Sequence, residues 1–502
     1  MRNRLPRSDW SPVVRARSRL SQETTIVGLA AASLCLAMVL VSSAIAQSAP
    51  VSWNHPWHSS DEQQFLRDAT AEHTHELPDN PVKTYSLAEL IDMAESNNPE
   101  TRVAWERARA QAASFGVARS ELYPTLAAAA LSQTRRDEGF FGSRFNAQAV
   151  QDFEVALDLG YTVFDFGGRR GRINSARAQL LAANFAFNDT HRNVIYQVEQ
   201  SYYRLLSSMG QEDSARASLS NAEAVQEAAE DRLAHGLATL PDVLEARSAT
   251  AQAEYDLQSV LGAEQIAQGD LATAVGDRAS LTVKVQPLDQ LAIPDSISDT
   301  VQGAIDRALS QRPDLMQQVA EIQSTNARVQ EARSAYYPSL SLDARPAAQS
   351  VYGLQSPYDW SHTAGLTGGL SFSLKWTIFD GAARKNRLLE ARANVQEAKA
   401  QAEVKRNQIA DEVWTAYSNL NTALRQRQAA VALLRAASQS YDSALQSYNY
   451  GVRSLLDVTA AQRTLAQARS ADVYAGTQVL ASFADLAFRT GDSVQSTNRS
   501  QP

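Results

Sequence analysis

From Phe153 onward, apolar side chains occupy every second position: Phe153, Val155, Leu157, Leu159, Tyr161 and Val163, set against Glu154, Ala156, Asp158, Gly160 and Thr162. A period of two is the pattern of a strand with one apolar face. It returns at Leu370, Phe372, Leu374, Trp376 and Ile378, which alternate with Ser371, Ser373, Lys375 and Thr377. Each run predicts a strand long enough to span a membrane, with the apolar set toward lipid. A weaker strand is expected before each, over 125–134 and over 339–345, where Leu340, Leu342 and Ala344 alternate with Ser341, Asp343 and Arg345. Polar loops containing glycine should join the partners, over 136–152 and 346–363.

After each strand pair the period changes. Residues 169–233 contain no proline and two glycines, Gly171 near the start and Gly210 in the interior, while 384–450 contain neither. Ile409, Ala416, Ala423, Ala430, Ala437 and Ala444 recur every seven positions. So do Val413, Leu420, Leu434, Tyr441 and Tyr448, with Arg427 as the exception. Val198, Leu205, Leu219 and Leu233 do the same, interrupted by Glu212 and Gln226. A sustained seven-residue apolar repeat is a coiled-coil seam, and a helix of this length reaches about 100 Å. Gly236 and Gly451 end the long helices, as glycine does at a helix C-terminus. Helices resume near Pro241-Asp242 and Leu456-Asp457 and run to Gly276 and Gly491, so each long helix folds back as a hairpin with a tight tip. Ahead of the first strands, a helix begins near Ser86 with Leu87, Leu90, Ile91 and Ala94 at helical spacing. Asn98-Pro99 breaks it and starts another, which reaches Leu122.

The whole pattern is written twice. Asn98-Pro99 and Pro124 match Arg312-Pro313 and Pro338, 214 positions later. Phe164-Asp165, Gly236, Asp242-Val243 and Gly276-Asp277 match Phe379-Asp380, Gly451, Asp457-Val458 and Gly491-Asp492 at 215. Such a period is far longer than that of a solenoid, so the unit is a strand–strand–helical-hairpin module. The organisation expected is a leader over 1–46, a loose segment over 47–82, a first repeat over 83–280, a linker over 281–298, a second repeat over 299–491 and a disordered tail over 492–502.

The leader changes the setting. Arg2, Arg4, Arg7, Arg15, Arg17 and Arg19 precede an uncharged stretch, 26–46, that closes on Ala44-Ile45-Ala46. This is the layout of a secretory signal with a small-residue cleavage site, although the stretch is also long enough to be an anchor. Cys35, the only cysteine, lies inside it behind Leu34, which does not suit lipid attachment. The exported chain then has no thiol to manage. Net charge is −8 before the leader is removed and more negative afterwards, which argues against nucleic acid as a partner. His55, His58, His73 and His75 in the 47–82 segment read either as a metal-binding tract or as a solvated tail with no ordered site.

Four amphipathic strands in an exported chain are the pattern of an outer-membrane barrel. Four strands cannot close by themselves, because edge groups left unpaired in lipid cost several kcal/mol each. The barrel must be shared between copies. Helices of about 100 Å must project from the membrane, and arranged around the same axis they form a conduit.

At this point the residues resemble a known family. Ser86-Leu87 through Ala94, Asn97-Asn98-Pro99, Ala118-Arg119 through Pro124-Thr125-Leu126, Val163-Phe164-Asp165 with Gly167-Gly168-Arg169, and the doubled glycine-x5-Asp-Val tips are similar to the TolC family of outer-membrane channels. The resemblance implies an α+β membrane protein, a homotrimer with a twelve-stranded β-barrel continued by a twelve-helix periplasmic α-barrel. It implies a passive duct recruited by an inner-membrane pump or exporter ATPase through a periplasmic adaptor, with no cofactor. His235-Gly236-Leu237 and Tyr450-Gly451-Val452 fall on the tips that adaptors grip, although the family's leading valine is replaced in both. Tyr448, Arg453 and Asp457 fall on the gating tyrosine, arginine and first aspartate; Ala460 stands where the second aspartate would be. Asp242 is the matching acid of the first tip. The plainer reading of Asp242 and Asp457 is that they cap the following helices.

No Gly-x-Ser-x-Gly elbow, His-Glu-x-x-His or Gly-Lys-Ser/Thr loop occurs, so an enzyme is not expected. Three functions remain open on sequence: an efflux duct for drugs or other small molecules, the same duct in type I protein secretion, and an exported coiled-coil interaction protein without a channel.

Overall fold

The computed structural model describes residues 84–141, 144–278, 283–297, 300–355 and 361–492. The leader, the histidine-containing segment and the tail beyond 492 lie outside the described residues. The elements run in chain order as β1 (Thr84–Tyr85), α1 (Leu87–Asn97), α2 (Pro99–Ser120), β2 (Thr125–Phe141), β3 (Arg144–Phe164), α3 (Gly168–Ala234), α4 (Leu240–Val275), β4 (Lys284–Val285), a 3-10 turn (Leu288–Gln290), α5 (Val301–Gln311), α6 (Pro313–Ser334), β5 (Ser339–Gln355), β6 (Ser361–Lys375), α7 (Ala383–Asn449) and α8 (Leu455–Thr490).

The starts of these helices follow from their first residues. Ser86 and Glu89 form a capping box on α1, each side chain accepting from the other's backbone N–H, at 3.3 and 2.9 Å. Asn98 caps α2 by accepting from the Glu100 N–H at 2.8 Å, and Pro99 supplies the first helical position. The second helix ends at Ser120, two residues short of the expected Leu122.

The seven-residue rows are the buried rows. Ile409, Ala416, Ala423, Ala430, Ala437 and Ala444 are all buried, as are Val413, Leu420, Tyr441 and Tyr448. In α3, Val198 and Leu205 are buried, while Leu219 and Leu233 are half-buried. α3 packs along α4 and α7 along α8, and α3 also packs against α6 and α8, which joins the two halves. Arg427, the break in the row, is buried enough to need a partner and pairs with Asp472 on α8. Among the described residues no helix is long and apolar enough to cross a membrane.

The sheet corrects the strand lengths. β2 and β3 pair from Thr125↔Gly160 through Phe141↔Arg144, and β5 and β6 from Ser339↔Lys375 through Gly353↔Ser361. Most of the expected loops 136–152 and 346–363 is therefore strand. Its residues keep the pleat but lose the apolar alternation, so periodicity could not reveal them. In the other direction, Trp376 and Ile378 lie past the end of β6, so Trp376 does not belong to a strand. A short parallel pairing of β1 with β4 also went unread: two residues leave no periodic signal.

Candidate functional site

Strand order is β2-β3-β5-β6, all antiparallel, with β2 and β6 at the edges. Side chains directly opposite share a face, so the register sorts both surfaces. On one face Phe153, Val155, Leu159 and Tyr161 stand opposite Ser350, Ala348, Ala344 and Leu342, and these continue to Ala364, Leu366, Leu370 and Phe372; Leu340 meets Leu374. Leu157 lies on this face too, between Val155 and Leu159. Apart from Ser350 the set is apolar, and its outer strand is exposed, Leu366 at 90% and Leu374 at 69%. Leu159 and Tyr161 are half-buried.

The other face is polar. Arg345 bridges Glu154 at 2.9 Å and Asp158 at 3.3 Å, and the Gln349 amide donates to Asp152 at 3.0 Å. Arg345, Glu154 and Asp158, with Asp343, line a cleft of about 720 Å³ on the sheet. Apolar on one side and ionic on the other, the sheet can separate hydrocarbon from water.

At the opposite end of the long helices the two tips are built alike. The Gly236 N–H donates to the Leu233 carbonyl at 2.9 Å and the Leu237 N–H to Arg232 at 2.7 Å. The Gly451 N–H donates to Tyr448 at 2.9 Å and the Val452 N–H to Ser447 at 2.8 Å. This paired closure requires a left-handed residue, which Gly236 and Gly451 supply at φ of 72° and 75°. His235 and Tyr450 are the residues at which the helices end. His235, Leu237, Tyr450 and Val452 are exposed.

Asp242 and Asp457 both close capping boxes. Asp242 Oδ2 accepts from the Thr239 N–H at 2.9 Å and the Thr239 hydroxyl at 2.7 Å; Asp457 Oδ2 accepts from the Ser454 N–H at 3.2 Å and its hydroxyl at 2.9 Å. The Thr239 bonds hold the Asp242 carboxyl below its ordinary pKa.

Within one chain the expected gate triad does not meet. Tyr448 is buried in the cluster of Val225, Ala229, Val243 and Leu455 that joins the two hairpins, and burial raises its pKa. Arg453 and Asp457 are exposed, and among the described residues the Arg453 side chain has no hydrogen bond or ion pair. The contact that forms instead involves Arg232 of α3. Its guanidinium lies 4.6 Å over the Tyr448 ring and donates to the carbonyls of Tyr448 at 3.1 Å and Asn449 at 3.4 Å. A cation on the last carbonyls of a helix is favoured, so Arg232 ties one tip to the other. Sequence reasoning missed it. The available signal was a break in the repeat, since Ser447 stands in the equivalent place.

Two spans, 90–277 and 304–492, match the family model for outer membrane efflux protein. The chain belongs to the outer membrane efflux protein family. It is 30% identical over 399 residues to the pyoverdine export outer membrane protein OpmQ of Pseudomonas aeruginosa, covering 77% of this chain and 81% of that one. It is 28% identical to protein CyaE of Bordetella pertussis, covering 85% and 88%. In structure it resembles a membrane protein from Pseudomonas aeruginosa with a TM-score of 0.72, at 24% identity, covering 83% of this chain and 99% of that one. This efflux protein of the outer membrane combines a four-stranded sheet with two long helical hairpins.

Proposed function

We propose that three copies of this chain close a passive duct, with no catalysis, in which the repeats over 83–280 and 299–491 each supply two strands and one hairpin. The observation that carries this reading is the four-stranded sheet with an apolar face and two unpaired edges, β2 and β6. Edge backbone groups left open in lipid cost several kcal/mol each, and joining β6 of one copy to β2 of the next removes every edge. Leu157, Leu370, Phe372 and Leu374 then face lipid, and Arg345, Glu154 and Asp158 face the lumen. The exposed tips, His235-Gly236-Leu237 and Tyr450-Gly451-Val452, are surfaces for a periplasmic adaptor that brings an inner-membrane pump. The exported substrates are small molecules, the class that the name of the pyoverdine export relative records for that protein.

At the closed end, Asp457 carboxylates from three copies approach one axis while each still caps its own helix, and Arg453 reaches a neighbouring copy. The test begins with the mass of the detergent-extracted protein, expected to be that of a trimer. Leu374→Arg should block assembly, since a midplane charge costs roughly 2–4 kcal/mol in such barrels, and Lys375→Gln should not. A monomer that still conducts in a planar bilayer overturns the reading.

A further inference from the structure

Where the sheet meets the helices, the surface changes character over a few residues. Phe164 packs edge-on to Phe166, centroids 4.6 Å apart, and Phe166 stacks on Tyr337 at 4.9 Å. In the second half the Trp376 Nε1 donates to the Tyr336 carbonyl at 3.2 Å, and Ile378 and Phe379 are 83% and 85% exposed. Apolar side chains this exposed cover no core of this chain. Aromatic rings with a polar tip concentrate where hydrocarbon meets headgroups.

Immediately beyond the rings come cations, and they repeat. Arg170 and Lys385 are the third residues of α3 and α7 and lie 215 positions apart; Arg387 follows two residues after Lys385. All three are exposed, and among the described residues none has a hydrogen bond or ion pair. The acids where the strands end are engaged, Asp165 by Arg169, Asp380 by Arg384 and Glu121 by Arg172, while Glu390, one turn beyond Arg387, is exposed and forms no ion pair among the described residues. The helices do not ask for these cations. A helix N-terminus disfavours positive charge, yet neither α3 nor α7 has an acid in its first turn. Arg387 lies about 6 Å along α7 from its first residue, within a headgroup zone roughly 5–8 Å deep.

We propose that this junction is a seat for anionic phospholipid headgroups of the periplasm-facing leaflet, with the rings at the acyl boundary and Arg170, Lys385 and Arg387 on the phosphates. The inference rests on the outer-membrane barrel reading above and adds a lipid class to it. The leaflet follows from the side on which the cations sit, where the strands end and the long helices begin.

The test is native mass spectrometry of the full-length protein in detergent with equimolar phosphatidylglycerol and phosphatidylcholine. The protein should retain phosphatidylglycerol in preference. The triple variant R170Q/K385Q/R387Q should lose that preference, by roughly five-fold per cation removed, while a charge-matched control, K399Q/R425Q/R435Q on the exposed side of α7, keeps it. Should the triple variant fold poorly, a salt series on the unaltered protein serves instead, with the preference falling as screening grows. Equal retention of the two lipids, a preference that survives the triple substitution, or one indifferent to salt overturns the proposal. Heat-modifiable migration and conductance are measured on the same samples; their absence from the unaltered protein would count against the barrel reading, not against the lipid assignment.

Discussion

In the first half of the molecule the buried Asn98 donates its side-chain amide to the Ala274 carbonyl at 3.0 Å. At the equivalent place in the second half, Arg312 donates to the Arg489 carbonyl at 3.4 Å. The joint is the same, a link from the start of the second short helix to the end of the hairpin, but its chemistry differs. Asn98 is neutral and doubles as a helix cap. Arg312 brings a charge into a buried place and must be neutralised: it pairs with Asp314 and with Glu412, each at 2.7 Å, and Arg489 and Lys405 complete the network. The first-half counterparts of Glu412 and Arg489 are Gln197 and Ala274, which need no partners. A duplicated fold can hold one geometry with either an amide or an ionic knot, and the two should fail under different conditions.

The largest expected difference is in stability. Arg312→Ala removes the main partner of two carboxylates and should cost about 3 kcal/mol, the lower end for breaking a buried pair, since Lys405 and Arg489 remain. Asn98→Ala should cost about 1–2 kcal/mol, a lost cap plus one buried bond. Thermal unfolding of the detergent-solubilised protein, followed by circular dichroism, compares them; equal losses would remove the contrast.

Of the two joints, acid should act on the second only. Burial opposes ionisation of Asp314, but hydrogen bonds from Arg312 and Lys405 prevail and hold its pKa at about 2. The unfolded value is about 3.9. A carboxyl depressed on folding gives its full stabilisation above the unfolded value and loses it as pH falls toward the folded one. The melting-temperature gap between the native chain and Asp314→Asn should therefore shrink as pH falls from about 4 to about 2, while the gap for Asn98→Ala stays constant.

A smaller effect is expected at the tips. Arg232→Ala should weaken the link between hairpins by about 1 kcal/mol, read as faster hydrogen exchange over 447–452. Arg453→Ser should leave exchange within an isolated copy unchanged and raise conductance only in the assembled channel. If Arg232→Ala leaves exchange untouched, the guanidinium does not tie the tips together.

The smallest contrast lies midway along the hairpins. Glu212 on α3 and Glu264 on α4 share a hydrogen bond, whereas the second half has Arg427 and Val479 at those places. Burial, with Glu212 beside it, pushes Glu264 up to about 7. A carboxyl raised on folding gives its stabilisation at low pH and loses it as pH rises through the folded value. Glu264→Gln should raise the melting temperature slightly above pH of about 7 and not below about 5.

Much of this was legible in the residues. Period two at Phe153–Val163 and Leu370–Phe372–Leu374 fixed which strand face is apolar, because successive side chains point to opposite sides of a sheet. The seven-residue row from Ile409 to Ala444 marked the seam, and glycine at 236 and 451 marked the turns, because few other residues tolerate a left-handed conformation at low cost. The repeat at 214–215 gave the doubling. These are local signals, set by the geometry of a few neighbouring residues. What the tertiary structure alone decided is which distant parts meet: β3 beside β5, β1 beside β4, Arg232 over Tyr448, Arg312 among Asp314, Glu412 and Arg489. The continuation of β2 through 136–141 and β5 through 346–355 belongs with these, since those residues are held as strand by their partners' backbone hydrogen bonds and not by any alternation of their own. Such contacts depend on how two long helices and four strands are brought together in space, and a pattern with a period of two or seven carries no record of that.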